Sequence, residues 1–269
     1  MKRDFDKEGD MVNTHIPLVF RGLSIQRLHF QESLQHVWNA SLQNPVRVFW
    51  ANAHSINLSE KNIALKQALQ QSEFLLNDGV GVEIAGRVFG KKMPSNLNGT
   101  DWIPAFLDFI QKQNTPHSIF LLGSKQAVIS STTRIFSERW PQLDIVGTHD
   151  GYFSNPEIVL KKIEQTNPFF LIVGMGVPAQ ELFITQNWER LKLSGVRIAI
   201  GGGAIFDFLS GAIPRAPSFL RHLRLEWIYR FLLEPQRLAK RYFIGNPAFL
   251  YLVLKERLSS LIKSYFFFH

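Results

Sequence analysis

The 269-residue sequence contains no cysteine. That excludes disulfides, thiolate metal sites and thiol nucleophiles, and it fits the cytosol. Long apolar runs are also missing. No stretch approaches the roughly 18 uncharged apolar residues of a spanning helix. The longest candidates, Ala248 to Leu254 and Tyr265 to Phe268, are separated by Lys255, Glu256 and Arg257. The first ten residues alternate charges without an apolar centre and do not read as a secretory signal. No histidine sits at a metal-binding spacing such as His-Glu-x-x-His. Asp-x-Asp occurs only as Asp4-Phe5-Asp6, in the charged start, where it reads as solvated charge. Neither a Gly-x-Ser-x-Gly elbow nor a Walker loop is present.

Acidic residues are scarce at one end. Residues 215–269 carry a net charge of +7, against +1 for residues 1–214. A basic block that is also rich in Trp and Tyr usually meets phosphates, in nucleic acid, anionic lipid or a diphosphate substrate.

From Val46 onward, short apolar runs alternate with helical patterns. Val46–Ala51, Glu73–Leu76, Ser118–Leu122, Asp144–Val146, Phe169–Val173 and Val196–Ile200 read as strands. Between them lie a polar-led helix over 57–70 and a packed helix with Ile103, Phe106, Leu107 and Ile110 on one face, which Gly99-Thr100-Asp101 opens. This alternation predicts an α/β fold, a Rossmann-like parallel sheet with helices on both faces. Ligands in such sheets sit beyond the carboxyl ends of the strands. The glycine-rich and polar segments fall there: Asn52 to Ser55, Asn77 to Gly81, Gly123-Ser124, Gly174 to Glu181 and Gly201 to Asp207.

Several residues could carry chemistry. Asp78 follows a strand and precedes glycine, so its carboxylate could serve as a general base; an ordinary Asp-Gly turn is the plainer local reading. Residues 174–179 fit the loose G-x-G-x-x-G/A pattern, but Pro178 disturbs the helix start and no acidic residue ends the following strand. The backbone N–H groups of that loop could still hold a phosphate. Gln180 and Glu181 open the next helix as ligands or as caps. Three glycines at 201–203 permit close backbone approach, and Asp207 could bind a sugar hydroxyl or cap a helix. Arg230, Arg237 and Arg241 would share a face if one helix ran across Pro235, although Pro235 itself favours a helix start. Leu250, Leu254, Leu258, Leu261, Ile262 and Tyr265 form an apolar stripe, either packed on the body or lying on a membrane surface.

Read in order, these segments resemble the WecG/TagA/CpsF family of bacterial glycosyltransferases. The matching stretches are Asn52-Ala53, Asp78-Gly79-Val80-Gly81, Gly99-Thr100-Asp101, Asp150-Gly151-Tyr152-Phe153, Gly176 to Glu181, Gly201 to Gly211, Arg215-Ala216-Pro217, and Glu226-Trp227-Ile228-Tyr229-Arg230 followed by Glu234-Pro235-Gln236-Arg237. The pairing of Arg-Ala-Pro with Glu-Trp-x-Tyr-Arg is the most specific. Residues 1–15 read as a polar, flexible start. The resemblance implies a Rossmann-like core, over 16–213, and a basic helical appendage, over 214–269, that meets the membrane. It implies an inverting transfer from a UDP-sugar donor to an undecaprenyl-diphosphate-linked acceptor in cell-surface polysaccharide synthesis, with no cofactor and no metal. The expected place is the inner face of the cytoplasmic membrane, without nucleic acid; a homo-oligomer is compatible. Carried over, Asp78, Arg230 and Arg237 are the catalytic candidates. Asn52, Gly79, Gly176, Gln180, Glu181, Gly202, Asp207, Arg215 and Arg241 are the substrate-binding candidates. Trp50, Asn96 and Ala179 stand where the family often has Thr, Arg and Lys, which leaves the donor sugar open. The rival reading is a non-catalytic nucleotide- or phosphate-binding membrane protein that uses the basic tail.

Overall fold

The computed structural model describes residues 16–113, 117–217, 219–220 and 225–267. The expected flexible start over 1–15, with Asp4-Phe5-Asp6, lies outside the described residues, as does Phe268.

The chain opens with a two-stranded antiparallel hairpin, β1 (Leu18–Phe20) and β2 (Leu23–Ile25). Its two-residue turn, Arg21-Gly22, has positive φ at both positions (53° and 76°), the geometry that matches the twist of the flanking strands. Leu18, Phe20, Leu23 and Ile25 all face inward and are buried. A helix over Phe30–Gln43 follows, with Leu34, Val37 and Trp38 on its buried side.

The main sheet has six strands: β3 (Val46–Ala51), β4 (Phe74–Asn77), β5 (His117–Gly123), β6 (Leu143–His149), β7 (Phe170–Gly174) and β8 (Ile198–Gly201). Their order is β4-β3-β8-β7-β5-β6, and every adjacent pair is parallel. The fold is α/β, as the alternation predicts. All six residues of β3 are buried, as a central strand covered on both faces requires. Its alternate side chains feed two cores. Phe49 and Ala51 join Leu75, Phe120, Leu122, Leu171 and Val173 on one face. Val48 and Trp50 join Leu76, Ile119, Leu121, Ile172 and Ile200 on the other. Each such large side chain contributes about 1.5–3 kcal/mol on burial, so the two cores together fix the sheet.

One predicted helix is two. The stretch expected as a single helix over 57–70 forms Ala53–Ser59 and Ile63–Gln70. The reason lies in two asparagines. Asn52 caps the first helix by accepting from Ser55 N, and Asn62 caps the second by accepting from Leu65 N. The first helix therefore starts directly at the end of β3, one residue beyond Asn52.

The C-terminal region covers one end of the sheet. Glu226–Leu233 is helical and ends at Glu234, whose backbone (φ −134°, ψ 58°) leaves the helical region. Pro235 opens a new short helix, Pro235–Ala239, at the position Pro favours. A π-helical turn over Lys240–Gly245 leads into the long helix Asn246–Phe267. That helix is seated through Phe249 and Val253, both buried against the hairpin core. Glu256 ties it further to the hairpin, accepting from Arg21 N at 3.1 Å, while Arg21 also binds Glu60. The apolar stripe predicted for this helix faces away from the body from Leu250 to Ile262; the Tyr265 side chain lies outside the described residues. Leu254, Leu258 and Ile262 are 57–60% exposed, and Leu250 and Leu261 are exposed too. Among the described residues no helix is long and apolar enough to cross a membrane.

Candidate active site

The carboxyl ends of the strands converge on a cavity of about 640 Å³. Each strand delivers one segment to it: Asn52 after β3, Asp78 after β4, Ser124 after β5, Gly151 after β6, Gly176 after β7 and Gly202 after β8. The appendage closes the far side with Arg230, Arg237 and Arg241.

Asp78 is placed by backbone. Its N–H donates to Ala51 O at 2.9 Å, which extends the β3–β4 ladder by one residue. Gly79 then takes φ 84°, a left-handed turn that favours glycine, and its N–H donates to Asn96 Oδ1 at 3.0 Å. The Asp-Gly pair is thus a turn, and the turn holds the carboxylate in the crevice. Asn52 Nδ2 donates to Asp78 Oδ2 at 3.1 Å. The Asn52 carbonyl oxygen is occupied by the helix cap, so its amide can present only nitrogen to Asp78. The Asp78 carboxyl is open to the cavity but crowded by protein. Burial pushes its pKa up; the Asn52 hydrogen bond, Arg241 and Arg230 pull it back, and Glu226 adds to the rise. The net effect is a carboxylate more basic than an exposed aspartate, with cations close by.

The three arginines meet by a different route from a continuous helical face. The helix breaks at Glu234, and the break swings Arg237 and Arg241 back toward Arg230. Burial lowers the pKa of Arg241. Tyr242 and Asp78 oppose that fall, and the like charges of Arg230 and Arg237 add to it. Arg230 lies over the Phe208 ring at 5.1 Å, and its Nε is buried without a partner among the described residues. Arg237 is the outermost, its side chain 57% exposed and paired with Glu234.

The loops after β7 and β8 are clasped by one side chain. Gln180 Oε1 accepts from Gly176 N at 3.1 Å and from Gly203 N at 2.8 Å. The Gly176 N–H, in the loop expected to offer its backbone donors to a phosphate, is therefore engaged within the protein, as is the Gly203 N–H. Gln180 Nε2 donates to Glu181 Oε1 at 2.8 Å, and both side chains are buried. Among the described residues Glu181 Oε2 has no partner, nor does Thr185 Oγ1, one helical turn further along the same face. Burial pushes the Glu181 carboxyl up to about 7. In the unfolded chain it ionises near 4.5. Between those values the unfolded chain releases a proton that the folded protein keeps. The stability this group contributes is whole below pH ~4.5 and is lost as pH rises through about 7. Glu181→Gln keeps the shape without titrating. It should remove roughly 1–3 kcal/mol of that decline by pH ~8 in urea melts. An unaltered slope would mean that Glu181 ionises normally in the fold.

Asp207 accepts from Ser124 Oγ at 2.8 Å at the opposite end of the cavity. Of the expected residues, Asn52, Asp78, Gly176, Gln180, Glu181, Gly202, Asp207, Arg230, Arg237 and Arg241 line this cavity together. Gly79 lies just beyond it, in an adjoining cavity. Arg215 lines neither cavity. Its guanidinium bridges Asp101 Oδ1 (2.8 Å) and Glu226 Oε1 (3.0 Å), so it acts as a strut between the body and the appendage. Three lining residues lacked a distinct signal. His54 sits beside Arg241, and burial followed by that charge lowers its pKa, which favours the neutral imidazole. Ser124, with φ 55°, belongs to a segment placed at a strand end by its glycine, and the exposed Tyr152 to the 150–153 stretch of the family resemblance, but nothing distinguished the side chains themselves.

A model of the glycosyl transferase WecG/TagA/CpsF family matches residues 18–263. The chain is 37% identical over 188 residues to the N-acetylglucosaminyldiphosphoundecaprenol N-acetyl-beta-D-mannosaminyltransferase of Bacillus subtilis (strain 168), a match covering 70% of this chain and 71% of that protein. It is 32% identical over 205 residues to the protein of the same name from Bacillus spizizenii (strain ATCC 23059 / NRRL B-14472 / W23), covering 76% of this chain and 77% of that one.

Proposed function

Because the chain belongs to the glycosyl transferase WecG/TagA/CpsF family, we propose that this glycosyltransferase moves a sugar from a UDP-sugar to an undecaprenyl-diphosphate-linked sugar, with inversion and without a bound metal. The observation that carries the reading is the Asp78–Asn52 pair in a crevice faced by Arg230 and Arg241. Asp78 takes the proton from the acceptor hydroxyl as that oxygen forms its bond to the anomeric carbon. The bond from that carbon to the UDP oxygen breaks on the opposite side. Negative charge grows on the departing diphosphate, and the guanidiniums of Arg230, Arg237 and Arg241 are placed to stabilise it. Asn52 holds the base in orientation. Asp207 with Ser124, at the far end of the cavity, suits the nucleoside hydroxyls.

The names of the relatives make N-acetylmannosaminyl transfer to N-acetylglucosaminyl diphosphoundecaprenol the first pair to try. Trp50 widens the choice. Its ring lines the cavity and its indole N–H is bound to Leu97 O, so it presents an apolar wall to the ligand. Attachment to the inner membrane surface is supported by the +7 charge of residues 215–269 together with the exposed stripe through Leu254 and Leu258.

UDP release tests the proposal. The protein is given a panel of UDP-sugars, with and without the lipid-diphosphate acceptor, in EDTA, in detergent and on anionic vesicles. One donor should yield acceptor-dependent UDP, indifferent to EDTA and faster on vesicles. Release that vanished in EDTA would overturn the metal-free course. No release from any donor would favour the phosphate-binding alternative.

A further inference from the structure

A second cavity, of about 630 Å³, adjoins the first. Asn52, His54, Asp78, Arg230 and Arg241 line both, so the candidate base stands on the wall they share. The remaining linings differ in chemistry. Only the first cavity holds Asp207, Ser124, Arg237 and the glycine turns after β7 and β8. Only the second holds the carboxamides of Asn96 and Asn98 with the side chains of Ile84, Trp227 and Leu250. Asn96 gives its oxygen to Gly79 N, and its amide nitrogen has no protein partner among the described residues. Trp227 and Leu250 are 46% and 40% exposed, and they continue onto the exposed apolar face that runs through Leu254 and Leu258.

In an inverting displacement the entering oxygen and the leaving diphosphate lie on opposite sides of one carbon. A base on the common wall therefore separates a donor chamber from an acceptor chamber. We infer that the second cavity binds the sugar of the lipid-linked acceptor, with its lipid passing out between Trp227 and Leu250. An aromatic ring beside an unpaired amide donor suits a pyranose, which has an apolar face and hydroxyl edges. The apolar rim suits the first isoprenoid units, and the body of the lipid can stay in the bilayer. This rests on the proposed function and adds which cavity takes which substrate, and where the acceptor enters.

Direct binding tests the inference apart from turnover. The probe is N-acetylglucosaminyl diphosphate on a farnesyl chain, titrated calorimetrically into UDP-saturated protein. Two variants are compared with wild type: Ile84→Trp, which fills the second cavity, and Trp227→Ala, which opens its rim. Each should weaken the probe at least about tenfold and leave UDP affinity within about twofold, which also shows that the variant is folded. Probe affinity unchanged in both would overturn the inference, as would UDP affinity falling in step or a wild-type protein that does not bind the probe. The function itself is judged by UDP release, so a protein that turns over while its probe affinity ignores both variants would retain the function and lose only this assignment.

Discussion

Asp78→Asn should lower acceptor-dependent transfer by about 10²–10⁴-fold while the protein still binds UDP. The substitution keeps the side chain's size. Asn52 can still donate to the new amide oxygen, so the 3.1 Å contact that orients residue 78 survives. What disappears is the lone pair that accepts the proton. UDP affinity should hold or improve, because the carboxylate that competes for Arg241 and Arg230 is gone. The split between a collapsed turnover number and an intact UDP constant separates loss of a base from loss of the site. Proton removal also requires Asp78 to be ionised. The wild-type rate should therefore rise with pH through the ionisation of Asp78 and fall off on the acid side, at a pH displaced upward from that of an exposed aspartate. A variant that keeps more than about a tenth of wild-type turnover would remove Asp78 from the role of general base.

Much of this was readable in the sequence because a parallel sheet writes a simple text. Each buried strand is an apolar run, and each ligand-facing end is marked by glycine, asparagine or aspartate. Asn52, Asp78 and Gly202 could be placed in one crevice from that rule alone, and the structure puts all three there. Other features had no local signature. The strands of the N-terminal hairpin are three residues long, too short for alternation to register, and their burial depends on Phe249 more than 220 residues away. The helical pattern over 57–70 carries no proline or glycine to interrupt it, and the cap that Asn62 places on Leu65 N divides it. Arg215 stands among the substrate-binding candidates of the sequence because an arginine's partners cannot be read from its neighbours. In the fold two carboxylates from distant segments claim it. Gln180 reverses the lesson of the glycine-rich loops. Glycine N–H groups are available to a ligand only if no side chain reaches them first, and here one amide oxygen takes two. The cations that line the cavity are then the three arginines of the appendage and the exposed Lys125 after β5.

Those arginines should not be equivalent. Arg241→Ala should reduce turnover by about 10²–10³-fold, Arg230→Ala by a similar or smaller factor, and Arg237→Ala by only about tenfold. The ranking follows from surroundings. Arg241 is well desolvated and is felt electrostatically by Asp78, so its charge acts across a medium that screens poorly. Arg230 is also placed beside Asp78, and its unpartnered Nε is a donor waiting for an oxygen. Arg237 is exposed and already shares its charge with Glu234, so water screens much of what it could offer. Arg241→Lys sharpens the test. It keeps the charge and loses the planar fork, so it should recover part of the lost turnover and leave the rate well below wild type if two diphosphate oxygens are held at once. Steady-state kinetics on the four variants, with UDP affinity measured alongside, decides the matter. A loss confined to UDP affinity, with turnover intact at saturating donor, would make the arginines ground-state clamps and leave the departing charge to be stabilised by something else.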